Sequence, residues 1–319
     1  MRNKERFNQN LNRREWLSGS AAAAFGACLA LPAQSTHAAT PPAAKAFRFC
    51  LNTGTIRGQN LTLIQEIEVA AKAGFDGFEP WLDKVTRFAQ DGGSLKDARQ
   101  KLSDSGLVLE SAIGFPSWCV NDETQRAKGF EQAKKDMDLL AQLGGLRMAA
   151  PPAGVPGGQR VEPEAIAERY GKLLELGVQM GIRPILEFWG GSPVIGKLST
   201  AVAIALQAGH PQACVLADVF HMYRGGSPFE GLRLLSGQAL PILHLNDYPA
   251  DPPRDRINDS FRVFPGDGIA PLKEILNTVR TTGAFPVLSL ELFNKEYYKL
   301  DALEVARTGL RKMKALVAD

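Results

Sequence analysis

The strand-like stretch PILEFW at residues 184–189 is followed, after one helical pattern, by a second such stretch, LADVFH at residues 216–221. Between them, residues 198–208 carry apolar side chains at the spacing of one helix face. This pattern stops before Gly209, and glycine commonly follows the end of a helix. An apolar strand, a helix, a glycine and another apolar strand in this order indicate a parallel strand–helix–strand unit.

The same unit repeats along most of the chain. Apolar strand-like runs are predicted at residues 47–56, 75–82, 107–115, 146–151, 184–188, 214–223, 241–246 and 287–293. Helical patterns are predicted at residues 61–73, 95–105, 122–143, 162–180, 198–208, 229–235, 270–282 and 301–317. The chain is therefore expected to consist of alternating strands and helices from residue 47 to its end.

Eight strand–helix units in a chain of this length predict an α/β fold, a single (β/α)8 TIM barrel. A doubly wound sheet is the alternative. That fold normally places a G-x-G-x-x-G phosphate turn after its first strand, and residues 52–55 read NTGT instead. The polar residues also favour the barrel, because they fall at the C-terminal strand ends where barrel enzymes carry their active sites.

Each of the four late strands places an ionisable side chain among apolar neighbours, and these side chains are Glu187, Asp218, His244 and Glu291. A buried carboxylate is unfavourable unless it is paired or bound to a cation, and one such residue alone is more often part of a structural ion pair. Four in successive strands indicate a shared ion. An oxygen-rich set of this kind suits Mn²⁺, with Mg²⁺ or Co²⁺ as alternatives, better than a thiolate zinc site.

The chain resembles the xylose isomerase-like TIM barrel superfamily, in particular its sugar phosphate isomerase/epimerase branch, over nearly all of residues 47–315. The resemblance rests on Glu187, Asp218-x-x-His221, His244, the segment RVFPGDG at residues 262–268, and Glu291. It implies that the Glu, Asp, His and Glu hold one divalent metal and that the two Glu also move protons. It further implies that His221 and Arg262 hold substrate oxygens.

The sequence departs from the ketose epimerases of that branch after strand five. Those enzymes have Glu-Pro and then Asn-Arg, whereas Glu187 is followed here by Phe188-Trp189-Gly190-Gly191. The identity of the sugar therefore stays open, including whether it is phosphorylated.

Paired carboxylates beside a divalent ion predict proton transfer next to a ketone. If Glu187 and Glu291 flank one carbon from opposite faces, removal and return of a proton invert that carbon, which is epimerisation. Return to the neighbouring carbon is isomerisation, and loss of a β-oxygen makes the site a lyase or dehydratase acting on a keto-sugar or keto-glycoside. A non-catalytic sugar-binding barrel is the third alternative, although binding alone needs no paired carboxylates.

Three tryptophans and one further carboxylate are candidates for binding the sugar. Trp81, Trp118 and Trp189 lie at or just beyond the ends of predicted strands two, three and five, where an indole can stack on the apolar face of a sugar ring. The alternative is that they anchor loops against neighbouring helices. Glu79, at the end of strand two, is expected to bind a sugar hydroxyl, with a surface ion pair as its alternative.

The first 39 residues are expected to be an export signal of the twin-arginine type. A basic start and a small-residue apolar stretch surround the pair Arg13-Arg14, which is followed by Glu15-Trp16-Leu17. Residues 40–46 are then a linker and residues 47–319 the catalytic barrel. The expected location is periplasmic or otherwise exported, with the twin-arginine export machinery as a partner.

Composition excludes several other classes of protein. Apolar residues make up 45% and charged residues 22%, and no uninterrupted apolar run is long enough for a membrane span. Residues 1–39 hold five of the 37 basic and two of the 34 acidic side chains, which leaves 32 of each sign and no basic excess for nucleic acid. The remaining three cysteines indicate no disulfide framework. A sugar or keto-sugar is the expected partner, and a homo-oligomer is left open.

Overall fold

Eight parallel strands form the centre of the computed structural model, which describes residues 46–318. The predicted export signal, with Arg13 and Arg14, lies outside the described residues. The strands are β1 (Arg48–Asn52), β2 (Gly77–Glu79), β3 (Val108–Leu109), β4 (Arg147–Ala150), β5 (Arg183–Glu187), β6 (Val215–Asp218), β7 (Ile242–Leu245) and β8 (Val287–Leu290).

The strands follow one another around a ring. Consecutive strands are paired in parallel except β3 and β4, and β1 also pairs with β8, so that Cys50 lies opposite Ser289. Between β3 and β4 the ring is joined through Ala112, whose N–H donates to the carbonyl of Arg147 at 3.2 Å and whose carbonyl accepts from the N–H of Ala149 at 2.9 Å. The predicted TIM barrel is therefore confirmed.

Helices surround the strands and pack their apolar faces against them. They are α1 (Leu63–Ala73), α2 (Leu82–Gln90), α3 (Leu95–Asp104), α4 (Glu123–Leu143), α5 (Pro163–Met180), α6 (Leu198–Gln207), α7 (Val219–Gly225), α8 (Leu272–Thr281) and α9 (Ala302–Val317). Short 3-10 helices occupy Thr53–Gln59, Phe229–Leu234, Asp259–Phe261 and Tyr297–Lys299. Within residues 46–318, no helix combines the length and apolar character needed to cross a bilayer.

An apolar cluster fills the inside of the barrel beneath the polar strand ends. It includes Ile185, Leu216 and Ile242, all with almost no exposed surface. Side chains alternate between the two faces of a strand, so the residue two positions further along each strand also points inward. That rule places Glu187, Asp218 and His244 directly above this cluster.

Several elements differ from the sequence-based expectation. The predicted first strand ends at Asn52 and is followed by a 3-10 helix, and the helix predicted at residues 229–235 is a 3-10 helix. The predicted strand at residues 214–223 ends at Asp218, and Val219–Gly225 is the helix α7, because a short apolar run has the same appearance in either structure. Asp218 caps this helix by accepting a hydrogen bond from the N–H of His221 at 2.9 Å. Helix α2 was not predicted, and its first residue, Leu82, was assigned to the preceding strand.

Candidate active site

Three of the predicted metal ligands meet at the C-terminal end of the barrel. Asp218, His244 and Glu291 each offer a ligand atom, and these atoms all lie within 4.8 Å of one another. Nδ1 of His244 lies 3.1 Å from Oε2 of Glu291 and 3.5 Å from Oδ2 of Asp218. The three side chains come from β6, β7 and the residue after β8, so adjacent strands of the ring bring them together.

Glu79 contacts the opposite edge of the His244 ring. Its Oε2 lies 3.1 Å from Nε2 of His244 and also accepts hydrogen bonds from Ser289 Oγ at 2.6 Å and Asn52 Nδ2 at 2.9 Å. Because Glu79 is completely buried beneath the histidine, it does not reach the cavity that a substrate would enter. Glu79 therefore lies against His244 and not at the cavity, and its expected contact with a sugar hydroxyl stays a prediction.

The guanidinium of Arg262 bridges the carboxylates of Asp218 and Glu291. Nη1 of its fully buried guanidinium donates to Asp218 Oδ2 at 2.8 Å and to Glu291 Oε2 at 2.9 Å. Nη2 donates to Asp259 Oδ1 at 2.6 Å and lies 3.2 Å from Nε2 of His221. The predicted pair His221 and Arg262 thus lies beside the candidate metal ligands.

The charges of these groups control one another's protonation. Burial disfavours the ionised carboxyl of Asp218, but the positive charges of Arg262 and the two histidines outweigh burial and hold its pKa well below the ordinary value. Burial alone would lower the pKa of His244, yet the carboxylates of Glu291 and Glu79 raise it well above the usual range. The surrounding carboxylates therefore favour a positive charge at this position.

The donor set fits a divalent cation. Two carboxylates and one imidazole converge on one point, and Nδ1 of His244 is buried without a hydrogen-bond partner among the described residues. Oxygen and imidazole ligands suit Mn²⁺, Mg²⁺, Co²⁺ and Zn²⁺ alike. A cation at this point would place a positive charge among the buried carboxylates.

Glu187 lies outside the three-residue cluster. Its Oε1 accepts a hydrogen bond from the indole N–H of Trp189 at 3.0 Å, and its buried Oε2 has no hydrogen-bond partner in the described part of the chain. Burial, together with the negative charges of Glu291 and Asp218, raises the pKa of this carboxyl to about 8. Its role as a fourth metal ligand stays a prediction.

A cavity of about 870 Å³ opens above these groups. Of the predicted site residues, those that line it are Glu187, Glu291, His221, Arg262, Trp81 and Trp189. Trp118 does not line it: this fully buried residue donates its indole N–H to the carbonyl of Pro151 at 2.8 Å and packs against Tyr170. The sugar-binding expectation for Trp118 is corrected, and the alternative of a loop anchor describes what it does.

Asn52, Phe115 and Phe293 are among the residues of the site that were not identified from the sequence. Asn52 ends β1 and donates from Nδ2 to both Glu79, at 2.9 Å, and Glu291, at 3.1 Å. A polar residue at the end of a buried strand is the same signal that identified Glu187. The same argument could therefore have identified Asn52 from the sequence. Phe115 and Phe293 line the cavity, but apolar residues after a strand carry no comparable signal.

This barrel, with two cavity-lining carboxylates above a carboxylate and histidine cluster, has the architecture of a metal-dependent sugar-converting enzyme. The chain belongs to the xylose isomerase-like TIM barrel family, whose family model matches residues 67–316.

Curated relatives in this family are enzymes. An inosose isomerase of Bacillus velezensis is 28% identical over 85% of this chain and 97% of its own length. A 3-dehydroshikimate dehydratase of Pseudomonas putida is 27% identical over 79% of this chain, which corresponds to 39% of the longer dehydratase. The crystal structure of the IolI protein with a bound zinc atom superposes with a TM-score of 0.77 at 26% identity, covering 85% of this chain and 98% of IolI. The prediction of an enzyme is confirmed.

Proposed function

We propose that this chain is a divalent-metal-dependent isomerase or epimerase that transfers a proton next to the carbonyl of a keto-sugar. One observation carries the proposal: Glu187 and Glu291 line the same cavity from β5 and from the end of β8, beside the cluster of Asp218, His244 and Glu291. The relatives named inosose isomerase support a polyhydroxylated ketone as substrate, because an inosose is a cyclic ketone of this kind.

Asp218, His244 and Glu291 are the residues that would hold the ion, with Glu187 as the proposed fourth ligand. Mn²⁺ is the proposed identity, with Mg²⁺ or Co²⁺ as alternatives, because the ligands are mostly oxygen. When bound, a divalent ion supplies the positive charge that polarises a ketone and lowers the cost of negative charge on its oxygen.

The protein's own groups move the proton. Glu187 has a carboxylate oxygen free of hydrogen bonds within the described residues, and we assign it the removal of a proton from the carbon beside the carbonyl. Glu291, three strands away around the ring, returns a proton to that carbon or to its neighbour. His221 and Arg262 line the same cavity and bind substrate oxygens there. Return to the opposite face of the same carbon gives epimerisation, and return to the neighbouring carbon gives isomerisation.

A lyase or dehydratase is the second candidate function. The family resemblance to 3-dehydroshikimate dehydratase supports it, since that relative's name describes loss of water. The first step would be the same removal of a proton, followed by departure of an oxygen from the β-carbon. A non-catalytic sugar-binding role is not favoured, because the relatives that align over most of this chain are named as enzymes.

The test is product analysis by NMR after incubation in D₂O with a panel of inososes, ketoses and keto-glycosides, with Mn²⁺ and with chelator. We expect at least one substrate to gain deuterium at the carbon beside the carbonyl in the Mn²⁺ sample alone. A new sugar product identifies the isomerase or epimerase, and an unsaturated product identifies the lyase. Absence of both product and deuterium across the panel, with Mn²⁺ saturating, would contradict both functions.

We also propose that the chain is exported in folded form through its twin-arginine motif. Such a route lets the carboxylate site bind its metal in the cytoplasm, before copper or zinc can compete. Replacing Arg13→Lys and Arg14→Lys together should leave active precursor inside the cell, whereas Arg2→Lys with Arg6→Lys, the matched control, should not. Cell fractionation measures this, and periplasmic activity of the first double variant equal to that of the control would overturn the proposal.

A further inference from the structure

Four aromatic rings form an unbroken row along one side of the candidate active-site cavity. In order they are Trp189, Phe115, Trp81 and Phe293, and consecutive ring centroids are separated by 6.1, 5.1 and 5.7 Å. All four line the cavity. We call this row the aromatic arc.

The arc connects the two catalytic carboxylates. It begins at Trp189, which donates its indole N–H to Glu187, and it ends at Phe293, two residues after Glu291. Its members follow β5, β3, β2 and β8, so the arc runs around the side of the barrel that does not contain β6 and β7. Apolar residues of the intervening loops extend this wall, namely Ile113, Pro152, Val155 and Pro193.

The opposite side of the cavity, which we call the polar side, carries most of the charged and polar lining residues, together with Phe220, Ile257 and Tyr298. The segments after β6, β7 and β8 contribute Arg224, Asn258, Asp259, Ser260 and Lys295 to its lining. Because β3 and β7 are four positions apart in a ring of eight strands, the middle of the arc faces this polar side across the barrel. The candidate metal ligands lie on the polar side, on β6, β7 and β8.

The size of the arc exceeds what one sugar ring needs. An aromatic side chain stacks on one face of one ring, so a single keto-sugar held over the metal ligands would leave part of the arc uncovered. Phe115, in the middle of the arc, has 44% of its side-chain surface exposed. The cavity of about 870 Å³ is also near the upper end of cavities that enclose drug-sized ligands, which span about 300 to 1,000 Å³.

We propose that the aromatic arc binds a second ring of the substrate, so that the substrate class is a keto-sugar carrying a ring substituent, that is, a keto-glycoside. This inference rests on the proposed function for the reacting ring, whose hydroxyl groups meet the polar side and the metal ligands. The second ring, whether an aromatic aglycone or another sugar, stacks through an apolar face on Phe115 and its neighbours in the arc.

Binding can be measured without turnover, which separates this inference from the proposed chemistry. The protein is titrated with each of three ligands, and the change in tryptophan fluorescence reports binding. Phenyl β-glucoside has an aryl second ring, cellobiose has a sugar second ring, and glucose has no second ring. The variants are Phe115→Ala and the control Leu146→Ala, which removes a side chain of matched exposure, 45%, at the N-terminal end of β4.

We expect the two-ring ligands to bind the wild-type protein at least about tenfold more tightly than glucose, the effect of one good stacking contact. Phe115→Ala should reduce that preference about tenfold, and Leu146→Ala should preserve it. Tighter binding of phenyl β-glucoside than of cellobiose assigns the arc to aryl glycosides, and the reverse assigns it to glycosyl sugars. Equal binding of all three ligands by the wild-type protein, or equal effects of the two variants, would overturn the inference even if the deuterium experiment confirms the chemistry.

Discussion

Oε2 of Glu79 lies 3.1 Å from Nε2 of His244, and both side chains are completely buried. This contact fixes which edge of the imidazole faces the neighbouring carboxylates, because the Nε2 edge is held by Glu79 while Nδ1 points toward Asp218 and Glu291. Histidines that bind metals commonly have such a carboxylate behind them, and it sets both the orientation and the protonated nitrogen of the ring. We therefore propose that Glu79 positions His244 for metal binding.

Glu79→Gln should weaken metal binding by about 10- to 100-fold while leaving the barrel folded, because the amide keeps the shape but loses the charge that orients His244. Calorimetric titration with Mn²⁺ measures the affinity, and circular dichroism checks the fold. Glu66→Gln is the matched control, since Glu66 is a similarly buried glutamate paired with Lys84 outside this cluster. Equal Mn²⁺ affinities of the two variants would show that Glu79 does not position the ligand.

The purified protein should contain about one divalent ion per chain, and Asp218→Ala or His244→Ala should remove it. Each change deletes one of the three converging ligands, and a divalent ion binds a smaller ligand set more weakly. Elemental analysis after dialysis gives the metal content, with His210→Ala as a control because His210 lies in the turn after α6. Full metal content in both ligand variants would exclude this cluster as the metal site.

Glu187→Gln and Glu291→Gln should each lower kcat by about 10²- to 10⁴-fold, the usual contribution of a positioned acid or base. For Glu187→Gln the KM should change far less than kcat, because the proposed role of its carboxylate is to transfer the proton. For Glu291→Gln we expect weaker metal binding as well. A Glu187→Gln enzyme with normal kcat and a raised KM would assign Glu187 to substrate binding instead.

Stability should depend on pH through Asp136, a buried residue of α4 whose carboxylate accepts a hydrogen bond from Gln132 at 2.8 Å. Burial raises the pKa of this carboxyl to about 6 in the folded protein, so the folded state binds more protons than the unfolded state between about pH 4 and pH 6. Stability is therefore lost as the pH rises through that window. Asp136→Asn should remove this loss of stability with rising pH.

The difference in the free energy of unfolding between Asp136→Asn and the wild-type protein should be near zero at about pH 4. Above pH 6 it should reach on the order of 2 to 3 kcal/mol in favour of the variant. Urea unfolding at several pH values measures it. Asp138→Asn provides the control, since exposed Asp138 accepts the equivalent bond from Gln142 at 2.8 Å on the same helix. If both variants show the same pH dependence, burial of Asp136 is not its cause.

The positions of the late strands could be read from the sequence because each combines an apolar run with one ionisable residue. Alternation along a strand then determines that Glu187, Asp218 and His244 share the inner face with the apolar residues two positions earlier. The inner cluster of Ile185 and its neighbours confirms that arrangement. The sequence of each single strand thus determined which ionisable residue it carries and that this residue lies on the inner face of the barrel.

The partners of these side chains were decided only by closure of the barrel. β1 pairs with β8, which brings Asn52 beside Glu291, residues separated by 239 positions in the chain. The same closure places Glu79 of β2 against His244 of β7. No periodicity within one strand contains this information, because contacts across the ring depend on the register of every strand between them.

The three tryptophans show the same division, because Trp81 and Trp189 line the cavity and Trp118 does not. Trp81, Trp118 and Trp189 all follow strands, so sequence alone assigns them to one end of the barrel. Whether an indole points into the cavity or into the core depends on the loop that carries it, and Trp118 turns inward because the carbonyl of Pro151 accepts its N–H there. The sequence by itself determined the barrel, the end that carries the site and the residue types that can hold a metal. The tertiary structure alone decided which of those residues meet, because burial and hydrogen bonding between distant strands exist only once the ring is closed.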